Sequence, residues 1–278
     1  MDAPILVTGG TGTLGRLVVA RLRNAGKDVR VLSRHGGQGA TAGESTDGVE
    51  SMTGDLATGE GVEAAVRGIE VVVHCAGSRV GDDDTTRHLV RAATQAGARH
   101  IVYISVVGAD RIPVRGRVDR AMFGYFGSKL AAEQVVADSG IPWTTLRATQ
   151  FQQSFLTVAR GVARLPVIPV PNGFRFQPVD ADEVAARLAE LARAEPAGLV
   201  PEMGGPEALG MSELIRVYLR ATNRHRLIVP VPSFGGAAAA FRAGANLTSA
   251  DRAVGRTTWN DFVARRVGSP AGIEGGLA

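Results

Sequence analysis

The sequence predicts an α/β protein, a doubly wound parallel sheet with a small, mostly helical C-terminal cap. Three observations predict it. Short apolar runs alternate with helical patterns through residues 1–150, the order that yields a parallel sheet with right-handed crossovers. Gly9, Gly12 and Gly15 fall between the first apolar run and the first helical pattern. Beyond about Phe151 the alternation loosens, with prolines 166, 169, 171 and 178 marking irregular chain.

The elements follow in order. Pro4–Val7 is the first strand, and the helix after the glycines puts Leu14, Leu17, Val18 and Leu22 on one face before Asn24-Ala25-Gly26 stops it. Val29–Leu32 is a second strand, Gly36–Gly48 a glycine-rich polar loop, and Val49–Met52 a third strand ending at Gly54-Asp55-Leu56. A short helix near Gly61–Arg67 leads to Ile69–His74, whose near-continuous apolar run is that of a strand buried on both faces. His74 reads as a satisfied core histidine and Cys75 as a small buried hydrophobe. Asp82-Asp83-Asp84 open a helix running to about Gln95, acids suiting its positive end. Ile101–Val107 is another buried strand, Gly127–Ser139 a helix, and Trp143–Leu146 a further strand. Later helices fall near Asp180–Arg193, Met211–Ala221 and Thr258–Arg266. The domains expected are 1–150 for the sheet, 151–267 for a cap interleaved with it, and 268–278 for a flexible tail.

Composition narrows the function. The single cysteine excludes an intramolecular disulfide and suits a reducing cytoplasm, and no Cys/His cluster has metal-ligand spacing. The first apolar run starts at Pro4 with no basic segment ahead of it, unlike a secretory signal, and no apolar stretch approaches the ~20 residues of a membrane helix. The pI of 9.8 accompanies a net charge of only +4, and the arginines are scattered without a basic stripe interleaved with aromatics, which speaks against nucleic acid. A small-molecule ligand is expected, with no membrane partner and a monomer or homodimer. Of the 31 basic residues only Lys27 and Lys129 are lysines.

Three glycines between a strand and a helix suit one task, seating an anionic pyrophosphate at the helix N-terminus. The first makes the turn, the second lets backbone approach phosphate, and the third lets helix pack on strand. The acid that usually follows the second strand of NAD sites is missing, and Ser33-Arg34 stand there instead. A guanidinium can pair with a 2′-phosphate that an acid would repel, so NADP(H) is the expected cofactor. Tyr125 and Lys129 are i and i+4 on a helical pattern, so they share a face. An ammonium close by favours the phenolate and lowers a tyrosine pKa from near 10, which suits a proton donor to a reduced carbonyl.

Thr8-Gly9-Gly10-Thr11-Gly12-Thr13-Leu14-Gly15, Gly54-Asp55-Leu56, Val72–Gly77, the run Tyr125-Phe126-Gly127-Ser128-Lys129 through Glu133, and Phe176–Ala185 together resemble the short-chain dehydrogenase/reductase superfamily. The size and irregular second half are similar to its extended and atypical branch, the NmrA-like, NAD(P)H-binding proteins. The resemblance implies a Rossmann-type fold and cofactor contacts from Gly9, Thr11, Gly12, Thr13, Leu14, Gly15, Ser33, Arg34, Asp55, Leu56, Ala76, Gly77, Lys129 and Thr149. It implies catalytic roles for Tyr125, Lys129 and Ser105. Extended members often pair serines at that strand end where this chain has Ser105-Val106-Val107, so Ser105 is open between a catalytic and a structural reading. Arg147–Phe155, with Met122, Phe123, Phe126 and Phe174, reads as an aromatic, mostly uncharged substrate pocket without a diphosphate clamp. The function expected is an NADPH-dependent oxidoreductase reducing a small apolar or aromatic carbonyl compound such as a quinone. A silent NADP(H) sensor and a nucleotide-sugar epimerase or dehydratase are the alternatives.

Overall fold

The computed structural model of the protein describes residues 3–34, 45–46, 48–77, 81–252 and 254–267. Its first half runs β1 (Ile5–Thr8), α1 (Gly15–Asn24), β2 (Val29–Ser33), β3 (Ser45–Thr46), β4 (Val49–Thr53), α2 (Val62–Val66), β5 (Val71–His74), α3 (Asp82–Gln95), β6 (His100–Val106), α4 (Gly116–Ala137) and β7 (Trp143–Ala148). The second half runs α5 (Gln152–Val162), β8 (Val167–Pro171), β9 (Arg175–Phe176), α6 (Ala181–Leu191), β10 (Gly198–Leu199), β11 (Leu209–Gly210), α7 (Met211–Ala221), β12 (Leu227–Val231), α8 (Gly236–Arg242) and α9 (Trp259–Val267).

The described strands form an eight-stranded sheet in the order β10-β7-β6-β5-β1-β2-β4-β3. Every pairing is parallel except the short β3–β4 hairpin. The apolar runs form strands because both faces are covered. Val7, Val31, Val73, Val102 and Ile104 face α1 and α6, while Leu6, Val72, Ile101 and Tyr103 face α2, α3 and α4. The sheet layer therefore takes α6 and β10 from beyond residue 150. β1 lies between β2 and β5, where the strand order reverses, and the crevice at the carboxyl ends of such strands is where open α/β sheets bind ligands.

A second core holds the rest together. Phe155, Phe174, Phe176, Phe241, Trp259 and Phe262 are buried with the apolar face of α7. The Trp259 indole N–H donates to the Leu214 carbonyl at 3.0 Å. Two small sheets complete it, β8 with β12 in parallel and β9 with β11 in antiparallel pairing. No helix among the described residues is long and apolar enough to cross a membrane.

Several expected elements need correction. α4 begins at Gly116 rather than near Gly127, so Gly124 and Gly127 are inside it. Burial of Phe123 and Phe126 in the second core outweighs the weak helix propensity of glycine. α5 and α8 were not expected, and each is held by a buried stripe, Phe155-Leu156-Ala159 and Ala237-Ala238-Phe241. Val167–Pro171 is a strand despite its prolines, because it pairs with β12 alone and so tolerates missing donors. The tail 268–278 and most of the 36–48 loop lie outside the described residues.

Candidate active site

The glycine turn is shaped by close approach. Gly9 has φ +66, and a Cβ on it would stand 2.8 Å from Ala76 Cα at the end of β5. A Cβ on Gly15 would overlap the Gly9 carbonyl, so only glycine lets α1 start this close to β1. Gly12 has more room, its Cβ position lying 3.2 Å from the same oxygen. α1 has no side-chain cap and no acidic residue in its first turn, whereas α3 carries three acids there and α6 is capped by Asp180. The positive end of α1 is left for an anion.

A groove of about 390 Å³ runs across this turn at the carboxyl ends of the strands. Gly9, Thr11 and Gly12 line its middle, Ser33, Arg34, Asp55 and Leu56 one side, and Cys75, Ala76 and Gly77 the other, with Thr85 of α3. Arg34 is exposed and has no ion-pair partner among the described residues. Asp55 is fixed by the Ala57 N–H, which donates to its carboxylate at 2.9 Å. The Cys75 thiol packs on the core and burial pushes it up to about 12. A thiol so rarely ionised is a poor nucleophile.

Of the expected cofactor residues, Thr13, Leu14, Gly15, Lys129 and Thr149 do not line this groove. Leu14 is buried in the core and Thr13 is exposed beside it. Thr149 is buried, and its hydroxyl donates to the Gln177 carbonyl. This bond ties the segment between β7 and α5 to the chain just after β9.

Lys129 and Tyr125 share the face of α4 where the two cores meet. The Lys129 side chain is 4% exposed, and Nζ has three partners: the Asp82 carboxylate at 3.0 Å, the Ile104 carbonyl at 3.1 Å and the Tyr103 hydroxyl at 3.2 Å. Tyr103 in turn donates to the same Asp82 carboxylate at 2.8 Å. Gly77 covers this group, since a Cβ there would come within 3.2 Å of Lys129 Nζ. The groove thus ends directly over a buried ion pair. Burial and the Asp82 carboxylate push the Tyr103 phenol far above its usual range, so it stays a neutral donor.

Tyr125 stands 36% exposed, edge-on to Phe126 at 5.8 Å, with Lys129 Nζ 5.9 Å from its ring centre. The expected lowering of its pKa is not what the structure gives. Desolvation around the hydroxyl raises it, Lys129 lowers it and Asp82 raises it, and the net direction is up. The physical reason is first the burial of the hydroxyl, and then that Asp82, 3.0 Å from the ammonium, offsets its pull. Ser105 lies on the same sheet face as Tyr103, buried, and its hydroxyl has no hydrogen-bond partner among the described residues. A buried orphan hydroxyl is costly unless a ligand completes it.

His74 belongs to the floor of the same layer. Thr86 gives its hydroxyl proton to the Asp82 carbonyl at 2.6 Å, so it accepts from His74 Nε2 at 3.1 Å, and Nδ1 accepts from Thr8 at 2.7 Å. Burial lowers its pKa to about 4, and the ring is neutral. The expected aromatic pocket is also corrected. Phe123, Phe126 and Phe174 are all buried and pack on Phe241 at 5.0, 5.5 and 5.1 Å. They are core of the cap, and beside them Met122 and Tyr125 are exposed.

A family model described as NAD(P)H-binding matches residues 9–194, most of the chain and all of the groove. The chain belongs to the NAD(P)H-binding family. A (4-alkanoyl-5-oxo-2,5-dihydrofuran-3-yl)methyl phosphate reductase of Streptomyces griseus is 32% identical over 79% of this chain and 74% of its own. An NAD(P)H azoreductase of Xenophilus azovorans is 30% identical over 79% of this chain and 74% of its own. An NADPH-dependent quinone oxidoreductase of Escherichia coli, solved with NADPH, shares the fold, with TM-score 0.74 at 20% identity over 94% of this chain and 99% of its own.

Asp82 and Tyr103 were missed as site residues. Asp82 reads in the sequence as one of three helix-opening acids. Tyr103 stands two residues before Ser105 on a strand, a spacing that puts both on one face and was a usable signal.

Proposed function

We propose that this NAD(P)H-binding oxidoreductase uses NADPH to reduce a small apolar or aromatic carbonyl compound, such as a quinone. The observation that carries the reading is the groove itself, with the exposed Arg34 on one side and Gly77, set over the buried Lys129–Asp82 pair, on the other. The residues fit the cofactor. Arg34 and Ser33 would hold the 2′-phosphate, the turn from Gly9 to Gly12 and the open end of α1 the pyrophosphate, Asp55 and Leu56 the adenine side, and Ala76 and Gly77 the nicotinamide side. When bound, NADPH supplies a hydride.

The chain's own residues supply the rest. Ser105 Oγ donates to the substrate oxygen, which gives a buried hydroxyl its missing partner. Tyr125, held neutral by its raised pKa, carries the proton that the reduced oxygen takes up. Lys129, pinned by Asp82, Tyr103 and Ile104, keeps the floor beneath Gly77 rigid and electrically balanced. Met122 and the Tyr125 ring offer the exposed apolar surface on which a flat substrate can rest. That both named relatives are reductases supports the reading. The test is NADPH oxidation, followed by absorbance, with a quinone panel and with a simple ketone and aldehyde. Turnover that is faster with NADPH than NADH is the expected result; tight NADPH binding without turnover of any of them would leave the silent sensor and the epimerase or dehydratase.

A further inference from the structure

The outer face of the β8–β12 sheet breaks the usual alternation of a half-buried strand. Ile168, Val170 and Ile228 point into the cap core. The residues between them, which in a soluble sheet would be polar, are Val167, Pro169 and Pro171 on one strand and Leu227, Val229 and Val231 on the other. The register sets them side by side as Leu227–Val167, Val229–Pro169 and Val231–Pro171. Six apolar side chains thus form one flat face to solvent, with Leu227 62% exposed. Phe234, just past β12, is 81% exposed. Contiguous apolar faces of this kind mark interaction sites.

One end of the face is cationic. β8 and β12 are parallel, so their starts lie together, and Arg226 Nε ties them by donating to the Ala163 carbonyl at 3.2 Å. Arg216, Arg220, Arg224, His225 and Arg226 line a cavity of about 390 Å³ there, and no acidic residue lines it. None of these four arginines has an ion-pair partner among the described residues. The arginines that look scattered along the chain converge because Arg216 and Arg220 are one turn apart on α7 and Arg224 and Arg226 follow its end on the way into β12.

We propose that this face is a docking surface for an anionic lipid bilayer. Apolar side chains and an exposed aromatic enter the headgroup boundary while the arginines meet lipid phosphates, the combination that holds peripheral proteins to charged membranes. A second copy of the chain fits less well. The far end of the sheet offers Asn172, Ser233 and Phe234, and the carboxylate in the cavity beside it, Glu213, is taken by the Gly210 N–H at 2.6 Å. Copy on copy would leave the arginines without counter-charge. The surface stands apart from the groove, and the inference does not rest on the proposed activity.

The test is flotation of the purified full chain with vesicles of equal parts phosphatidylcholine and phosphatidylglycerol, and with phosphatidylcholine alone. The chain should float with the anionic vesicles and remain behind with the neutral ones. R224Q/R226Q should weaken partition roughly thirty-fold, and L227D/V229D should abolish it. Both pairs are exposed, and an unchanged melting temperature and NADPH affinity would show the fold intact. Failure to float with anionic vesicles overturns the proposal, as does equal flotation with both kinds. Sedimentation velocity without lipid gives the third overturning result, a dimer that L227D/V229D dissociates, which would make a second copy the occupant.

Discussion

Arg34 and Lys129 stand on opposite sides of β1, at the two ends of one groove, and they are built in opposite ways. Arg34 sits on a turn, exposed and without a counter-ion among the described residues. Lys129 is buried with three partners, one of them a carboxylate that is itself fully buried. A solvated cation waiting for a ligand contributes to binding and little to folding. A buried pair contributes to both, because removing one member leaves a charge with no water to solvate it. Damage at one end should therefore be local and specific to the cofactor, while damage at the other should reach stability.

The largest expected effect tests that division directly. Asp82→Ala should cost about 3–5 kcal/mol of stability by leaving the Lys129 charge buried, read as a shift in the urea midpoint. The double change Asp82→Leu with Lys129→Met should recover much of it, since apolar replacements of a buried pair are often neutral. An Asp82→Ala protein as stable as the unmodified one would mean that water reaches Lys129.

Tyr125→Phe separates chemistry from architecture at the same end. The ring that packs on Phe126 stays, so the melting temperature and NADPH affinity should hold, while turnover of a simple ketone should fall roughly 10²–10⁴. A quinone is the less sensitive substrate, because it can take its proton from water. Undiminished ketone turnover would remove Tyr125 from proton delivery.

His74 gives the pH dependence. Its native pKa of about 4 lies below the ordinary histidine value of 6.5, so between these values the unfolded chain binds a proton that the folded chain does not. The neutral ring's contribution is fully present above about pH 6.5 and is lost as pH falls toward 4, by up to about 3 kcal/mol. His74→Gln should flatten the pH dependence of unfolding over that window. An unchanged slope would show that the ring titrates normally in the folded protein.

The smallest effect belongs to the exposed end. Arg34→Ala should weaken NADPH about ten-fold or more, the loss of a charge-assisted contact, with NADH affinity and stability unchanged. Calorimetric titration of both cofactors decides it, and equal affinity of the unmodified protein for the two would remove Arg34 from cofactor choice.

Much of the groove was legible because its demands are local. A strand, three glycines and a helix in succession need no distant partner to be recognised, and neither does the absence of an acid after β2. The i, i+4 spacing of Tyr125 and Lys129 is equally local. What the Lys129 ammonium touches was not legible. Its carboxylate partner is 47 positions earlier, 129 less 82, on a helix whose acids have a sufficient local explanation at its N-terminus. The same holds for Phe123, Phe126 and Phe174, which read equally well as pocket or as core until Phe241 packs against all three.

The sequence by itself determined the alternation of strand and helix, the position of the glycine turn and the residue type at each groove position. Periodicity and backbone demand are properties of neighbouring residues. Tertiary structure alone decided that Lys129 is neutralised by Asp82, that Tyr125 is a raised rather than a lowered phenol, and that four separated arginines share an edge with an apolar sheet face. Electrostatics and burial depend on which distant segments are brought within a few ångströms, and the chain order of those segments carries no record of it.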